Sequence, residues 1–287
     1  MRLQLVVNPA AGGGRATRAL PAVLAALAGH DVLVTPTRSL THVNELVDAA
    51  VADDRVAVAM GGDGIVGRVA GVAAATGGVM GVLPGGRGND FCRAMGIPRD
   101  PVAACAVVTS GTARAIDLGD VAGTPYLGIA SIGFDSEVQE RVLRSRLPLG
   151  RLVYLCGALA TVARWRPARF SCTVDGAPLV LDGWSVAVAN TGMYGGGMRL
   201  APGASVTDGL LDVVTTSSTS RPRFLSALPK VFAGTHVSEP SVSVTPARTV
   251  VLDADRPFRV FADGDPVATL PCTVTVRPAA VRVLLPR

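Results

Sequence analysis

Three glycines around one aspartate, Gly61-Gly62-Asp63-Gly64, form the stretch of this chain best suited to chemistry. Val56 to Met60 ahead of them is short, apolar and β-branched at alternate positions, and it reads as a buried strand. Ile65 to Ala75 behind them is Ala/Val-rich and of helical length. A strand, a glycine turn and a helix in that order bring backbone N–H groups and a helix N-terminus to one point, which suits phosphate. Asp63 would repel phosphate unless a cation lay between them, so the stretch reads as a site for a nucleotide phosphate with Mg²⁺.

Positioning such a loop requires a sheet whose strands end on one edge. Leu3 to Val7 reads as a strand running into Asn8-Pro9 and Gly12-Gly13-Gly14, then a helix from Ala16 to Ala28 that Pro21 either delays or kinks. Val32 to Thr35 is the second strand, and Thr41 to Ala52 a helix capped by Ser39 or Thr41. Val79 to Leu83 is the fourth strand, followed by Pro84-Gly85-Gly86-Arg87-Gly88-Asn89-Asp90-Phe91, a short helix to Met95 and another from Pro101 to Val108. This strand–helix alternation predicts an α/β N-terminal domain over residues 1–112, a parallel sheet with helices on both faces. The loops at Asn8, Gly61 and Gly85 would then face one crevice at the strands' carboxyl ends.

From about Ala113 strand-like runs follow one another with turns between them. They predict a mostly antiparallel β-sandwich domain over residues 113–287, whose last residues would return towards the first domain. Asp175-Gly176 and Asp263-Gly264 fit hairpin turns. Tyr126 to Ile132 reads as one strand, Ser136 to Arg166 as helical and Thr215 to Pro222 as a polar loop.

With 287 residues and 49% hydrophobic content, the chain can fill the cores of two domains. Its net charge of +5 is carried almost wholly by arginine, since Lys230 is the only lysine, and it favours anionic partners such as nucleotide phosphates or an acidic membrane. Aromatic content of 4% argues against a nucleic-acid partner. The cysteines at 92, 105, 156, 172 and 272 show no metal spacing and read as reduced thiols. The opening apolar run is too short for a signal peptide and Leu152 to Ala163 too short to span a bilayer, which predicts a cytoplasmic protein with at most peripheral membrane contact.

Asn8-Pro9 with its glycine turn, Gly61 to Gly64 and Pro84 to Phe91 together resemble the nucleotide-binding domain of the diacylglycerol kinase-like lipid kinases, which include sphingosine kinases and bacterial diacylglycerol kinases. Ile116-Asp117-Leu118-Gly119, Gly133-Phe134-Asp135, Gly195-Gly196-Gly197-Met198, Asp208-Gly209-Leu210-Leu211-Asp212 and Asp263-Gly264-Asp265 continue the resemblance over nearly the whole chain. It implies transfer of the γ-phosphoryl group of ATP to a lipid hydroxyl with Mg²⁺. By this resemblance Gly12, Gly61, Gly62, Gly64, Gly85, Gly86 and Gly88 would cradle phosphate, and Asn8 and Asn89 would hold the nucleotide or fix the loops. Asp63 and Asp90 would handle Mg²⁺, Asp208 would hold a structural Mg²⁺, and Asp265 would act as general base.

The chain departs from the family pattern at several of these places. Ile65 stands for the usual Thr, Gly67-Arg68 for an Asn-Glu pair, and Arg87, itself able to meet a phosphate, for a Thr. Asp265 stands for a Glu, which shortens the reach of a base by roughly 1 Å. An NAD kinase-like enzyme, which shares the first loop, and a weakly catalytic lipid- or nucleotide-binding protein therefore stand as alternatives. Arg141, Arg144, Arg146, Arg151, Arg164 and Arg166, interleaved with Leu143, Leu147, Leu149, Leu152 and Leu155, suit a segment resting on an anionic bilayer. An antiparallel edge strand in the second domain would let two copies pair as a homodimer.

Overall fold

In the computed structural model of the chain, residues 1–144 and 152–287 are described, with side chains outside 145–156. The first part alternates strands and helices. It runs through β1 (Arg2–Val7), α1 (Arg15–Ala26), β2 (Asp31–Pro36), α2 (Leu40–Ala52), β3 (Val56–Gly61), α3 (Asp63–Thr76), β4 (Val79–Pro84), α4 (Asp90–Ala94) and α5 (Pro101–Ser110). These strands are parallel in the order β2-β1-β3-β4, with Val7 opposite Met60 and Gly61 opposite Pro84, so three loops leave the sheet at one edge. The local signals are conventional ones. The Ser39 hydroxyl caps α2 by accepting the His42 N–H, and Asp100 caps α5 by accepting that of Ala103 just ahead of Pro101.

Helix α1 does not start late, and Pro21 lies inside it. The carbonyl left without a helical partner belongs to Thr17, which is exposed and can turn to water.

The second part comprises β5 (Thr112–Val121), β6 (Thr124–Tyr126), β7 (Ile129–Gly133), α6 (Phe134–Arg144), α7 (Leu152–Arg164), β8 (Ala168–Val174) and β9 (Ala177–Ala189). After it come β10 (Met193–Tyr194), β11 (Met198–Arg199), β12 (Leu211–Ser217), α8 (Arg221–Ala233), β13 (Val242–Ala247), β14 (Thr249–Leu252), β15 (Arg259–Ala262), β16 (Asp265–Thr269) and β17 (Cys272–Leu285). Their pairings with one another are antiparallel and make a β-sandwich. The Asp175-Gly176 and Asp263-Gly264 turns have positive φ at both residues, as a tight hairpin requires.

Two further expectations need correction. The run from Tyr126 to Ile132 is two strands, because Leu127 and Gly128 break the ladder to donate to a side chain described below. The stretch from Thr215 to Pro222 is mostly the end of β12 and the start of α8. Helix α8 itself carries Pro222 in its first turn and the left-handed Gly234 just past its end, a pairing that marks helix boundaries despite Pro229 inside.

Strand β17 joins the two parts. It pairs antiparallel with β5 along its length, and at Arg282 and Val283 it also pairs parallel with β4. Ile116, Leu118, Val281, Val283, Leu284 and Leu285 accordingly pack into the same core as Leu5, Val58 and Leu83 of the parallel sheet. The second core gathers Trp184, Phe170, Phe134 and Trp165 under the antiparallel strands.

Candidate active site

The three loops at the carboxyl edge touch backbone to backbone, which is why they are glycine. A Cβ at Gly86 would come 2.4 Å from the Gly62 Cα, and one at Gly12 would come 2.4 Å from the Gly85 carbonyl oxygen. Gly12 also has φ 59°, a left-handed conformation costly for other residues. The Gly85 N–H donates to the Gly61 carbonyl at 2.7 Å, and the Asn8 N–H donates to Met60. Asn8 and Asn89 spend their side chains on this framework. The Asn8 Oδ1 accepts the Ala10 N–H, and the buried Asn89, at φ 51°, accepts from the Gly86 N–H and donates to its carbonyl. Arg87 is exposed at the tip of the second loop.

Asp63 opens α3, where the helix dipole favours a carboxylate. Its Oδ1 accepts the Phe91 N–H at 3.2 Å, tying the first loop to the start of α4. Its Oδ2 and the Asp90 Oδ2 converge on Gly88, where a Cβ would lie 3.0 Å from one and 3.1 Å from the other. The Asp90 Oδ2 also accepts the Gly196 N–H at 2.8 Å, so the Gly195–Gly197 run of the second part caps a carboxylate of the first. Burial raises the pKa of Asp90; the Gly196 hydrogen bond opposes this, and the Asp63 charge adds to it. The Asp90 Oδ1 is buried without a hydrogen-bond partner. Two converging carboxylates, one with an orphaned oxygen, beside glycine loops fit Mg²⁺, which takes one or two carboxylates and completes its shell with phosphate and water.

The second part brings its own acids to α3. Asp265 is open to solvent on one side, and its Oδ2 lies 3.7 Å from where a Cβ on Gly64 would be. Desolvation on the side facing the helix raises its pKa. Two residues earlier, Asp263 holds φ 50° at the tip of the β15–β16 hairpin. Its carboxylate accepts the N–H groups of Leu127, Gly128 and Ile129 at 2.8, 2.8 and 3.2 Å. Burial pushes Asp263 up to about 6; the three N–H groups oppose that shift, and the Asp63 charge adds to it. Asp263 is half-buried, and sequence reasoning treated it as a turn former only, since nothing local to it signals its three partners.

Asp135 and Tyr194 were missed as site residues. Asp135 is pushed up to about 6 by burial, against hydrogen bonds from Ser185 and Tyr194. The Tyr194 phenol is raised by burial, by Asp135 and by the charge of Asp90, so the pair lies beside the cleft acids. Both line a pocket whose other walls include Phe134, Phe224, Leu228 and Val231, and the last three belong to the unforeseen helix α8.

Asp208 belongs to a different cluster. It is exposed before β12, accepts the Leu210 N–H at 3.0 Å, and its charge adds to the burial that raises Asp212. The buried Asp117 anchors the neighbouring turn by accepting from Gly209 at 2.8 Å and Ala279 at 2.7 Å. Asp117→Ala should therefore destabilise the protein by about 1–3 kcal/mol in denaturant unfolding, because both N–H groups lose their side-chain acceptor. Among the described residues no three metal-ligating side chains cluster, so any ion at Asp208 would lean on backbone oxygens and water.

Comparison with known proteins agrees with this architecture. Residues 2–121 match the diacylglycerol kinase catalytic domain, and residues 128–285 match the YegS C-terminal NAD kinase beta sandwich-like domain. The chain is 37% identical over 296 residues to a diacylglycerol kinase of Mycobacterium tuberculosis, covering 100% of this chain and 96% of that one. It is 31% identical over 263 residues to a probable lipid kinase YegS-like of Pseudomonas aeruginosa, covering 90% and 86%. A crystal structure of a putative diacylglycerol kinase from Bacillus anthracis superposes with a TM-score of 0.84 at 21% identity, over 99% of this chain and 95% of that one. With both halves of the fold matched in order, this chain is a kinase that belongs to the diacylglycerol kinase and YegS-like lipid kinase family.

Proposed function

We propose that this kinase transfers the γ-phosphoryl group of ATP to a hydroxyl of a membrane lipid such as diacylglycerol. The observation that carries the proposal is the meeting of two sets of acids on α3. Asp63 and Asp90 come from the glycine-loop side, and Asp263 and Asp265 come from the β15–β16 hairpin. The bare loops at Gly12, Gly61 and Gly62, with Gly64 at the start of α3, would take the nucleotide phosphates, together with Gly85, Gly86 and Gly88. Arg87, exposed at the rim, would add a positive charge. Asp63 and Asp90 would hold Mg²⁺, which would supply charge neutralisation on the phosphates.

Asp265, across from Asp63, would accept the proton of the attacking hydroxyl. Its raised pKa keeps it a better proton acceptor than an ordinary exposed carboxylate. The pocket under α8 has aromatic and aliphatic walls, with Asp135 and Tyr194 among its polar residues near Asp90, and it would receive part of the acceptor.

A membrane substrate also has to be reached. Among the described residues, no helix is long and apolar enough to cross a membrane. Leu143 and Leu159 are 56% and 50% exposed, close in the chain to the exposed Arg144 and Arg164. Arg146, Leu147, Leu149 and Arg151 lie outside the described residues, as do the side chains of Leu152 and Leu155. We assign these exposed residues to contact with an anionic bilayer. Vesicle pelleting should show binding that grows with the fraction of anionic lipid and falls with salt; equal binding to neutral vesicles would count against it.

The proposed reaction is tested with purified protein, Mg²⁺, γ-labelled ATP and a panel of lipids. Label should enter an organic-extractable product. Label appearing on NAD, or nucleotide binding with no transfer to any acceptor, would overturn the proposal.

A further inference from the structure

The residues after the first glycine loop depart from the family pattern, and each has a different neighbour. Ile65 is buried against Gly61, where a Cβ would come 2.6 Å from its Cγ2. Arg68 donates through Nε to the Asn44 Oδ1 of α2 at 2.7 Å. Gly67 faces the second part of the molecule. A Cβ there would lie 3.3 Å from the Asp263 Oδ2, a contact tighter than side chains ordinarily make. Asp263 cannot withdraw without leaving the three N–H groups it accepts.

Gly67 is one of a set. A Cβ at Gly64 would lie 3.7 Å from the Asp265 Oδ2, and one at Gly71 would come 2.7 Å from the Pro125 Cγ. Positions i, i+3 and i+7 share one face of a helix. Along that face α3 therefore presents bare backbone to the side chains of Asp265 and Asp263 on the hairpin and of Pro125 on β6, which seat where a side chain of α3 would otherwise stand.

We propose that Gly67 sets the reach of Asp265, with Asp263 as the positioning residue that seats against it. The close seat brings the hairpin near enough for a base one methylene shorter than glutamate to serve the acceptor hydroxyl. This rests on the assignment of Asp265 as the base. It also joins two departures that look independent in the sequence, because the lost side chain at 67 makes room for the shorter one at 265.

A double-mutant cycle tests the coupling. Gly67→Asn and Asp265→Glu should each lower kcat for lipid phosphorylation by about 10–100-fold, the scale expected of a misplacement near 1 Å. The KM for ATP should stay unchanged. The double variant should return to within about 5-fold of the parent, since the longer base spans the wider gap. Singles whose effects simply multiply in the double variant, or a fully active Gly67→Asn, would overturn the proposal. If thermal melting shows that Gly67→Asn is unfolded, Gly67→Ala enters the same cycle with the same expected rescue. If the parent protein phosphorylates no lipid, the proposed function fails, but the spacing is still read crystallographically. The distance between α3 and the Asp263–Asp265 turn should widen in Gly67→Ala, and an unchanged distance would sink the inference.

Discussion

Asp63→Asn should lower kcat for phosphoryl transfer by about 10³-fold or more while the protein stays folded. The amide keeps an oxygen to accept the Phe91 N–H, so the start of α4 remains tied to the first loop. It loses the charge that, with Asp90, faces the space over Gly88. Melting temperature measured beside activity separates the two effects, and near-parental activity would remove Asp63 from metal binding.

The same variant has a signature in pH. Burial moves Asp263 from 3.8 to about 6, and Asp63 adds to that shift. Between those values the native protein holds a proton that the unfolded chain has released, so stability falls as pH rises through the window. Removing the charge at 63 lowers the Asp263 pKa and flattens that slope. Denaturant midpoints between pH 4 and 6 would show it.

Asp265→Asn should lower kcat by about 10²–10⁴-fold, the range of general acid–base contributions, with little change in ATP affinity. Asp265 lies across from the loops that would hold the nucleotide, and none of their backbone bonds depends on it. A base must be ionised, and desolvation raises this one, so parental activity should fall with acid at a pH above the ordinary carboxylate range. Asp263 titrates nearby, and the limb reports the coupled acids together. The residual rate of Asp265→Asn should lose most of this pH dependence. A variant retaining both rate and limb would point to another base.

The parallel half was legible in the sequence because its signals are local. Apolar runs end in Asn8-Pro9, Gly61-Gly62 and Pro84-Gly85, and punctuation of this kind does not depend on distant residues. The two Asp-Gly hairpins were legible for the same reason. Helix α8 was hidden because the Thr/Ser-rich run into Pro222 looks like a loop, although Pro222 sits in the first turn, where its missing N–H costs nothing. The division of β6 from β7 was hidden because Asp263, far along the chain, takes the N–H groups between them. Gly67 and Arg68 looked like losses at a catalytic loop. Their meaning lies in partners that no local pattern names, Asp263 for one and Asn44 for the other.

The shared strand β17 has a mechanical consequence. Its hydrogen bonds run from β14 and β5 directly into β4, so both walls of the cleft belong to one unbroken ladder of strands. A pair of lobes on a flexible linker can swing freely, whereas here a swing has to strain the two rungs joining β17 to β4 and the core packed around them. Closure over a substrate would then be an elastic twist of a continuous beam, small in amplitude and self-restoring.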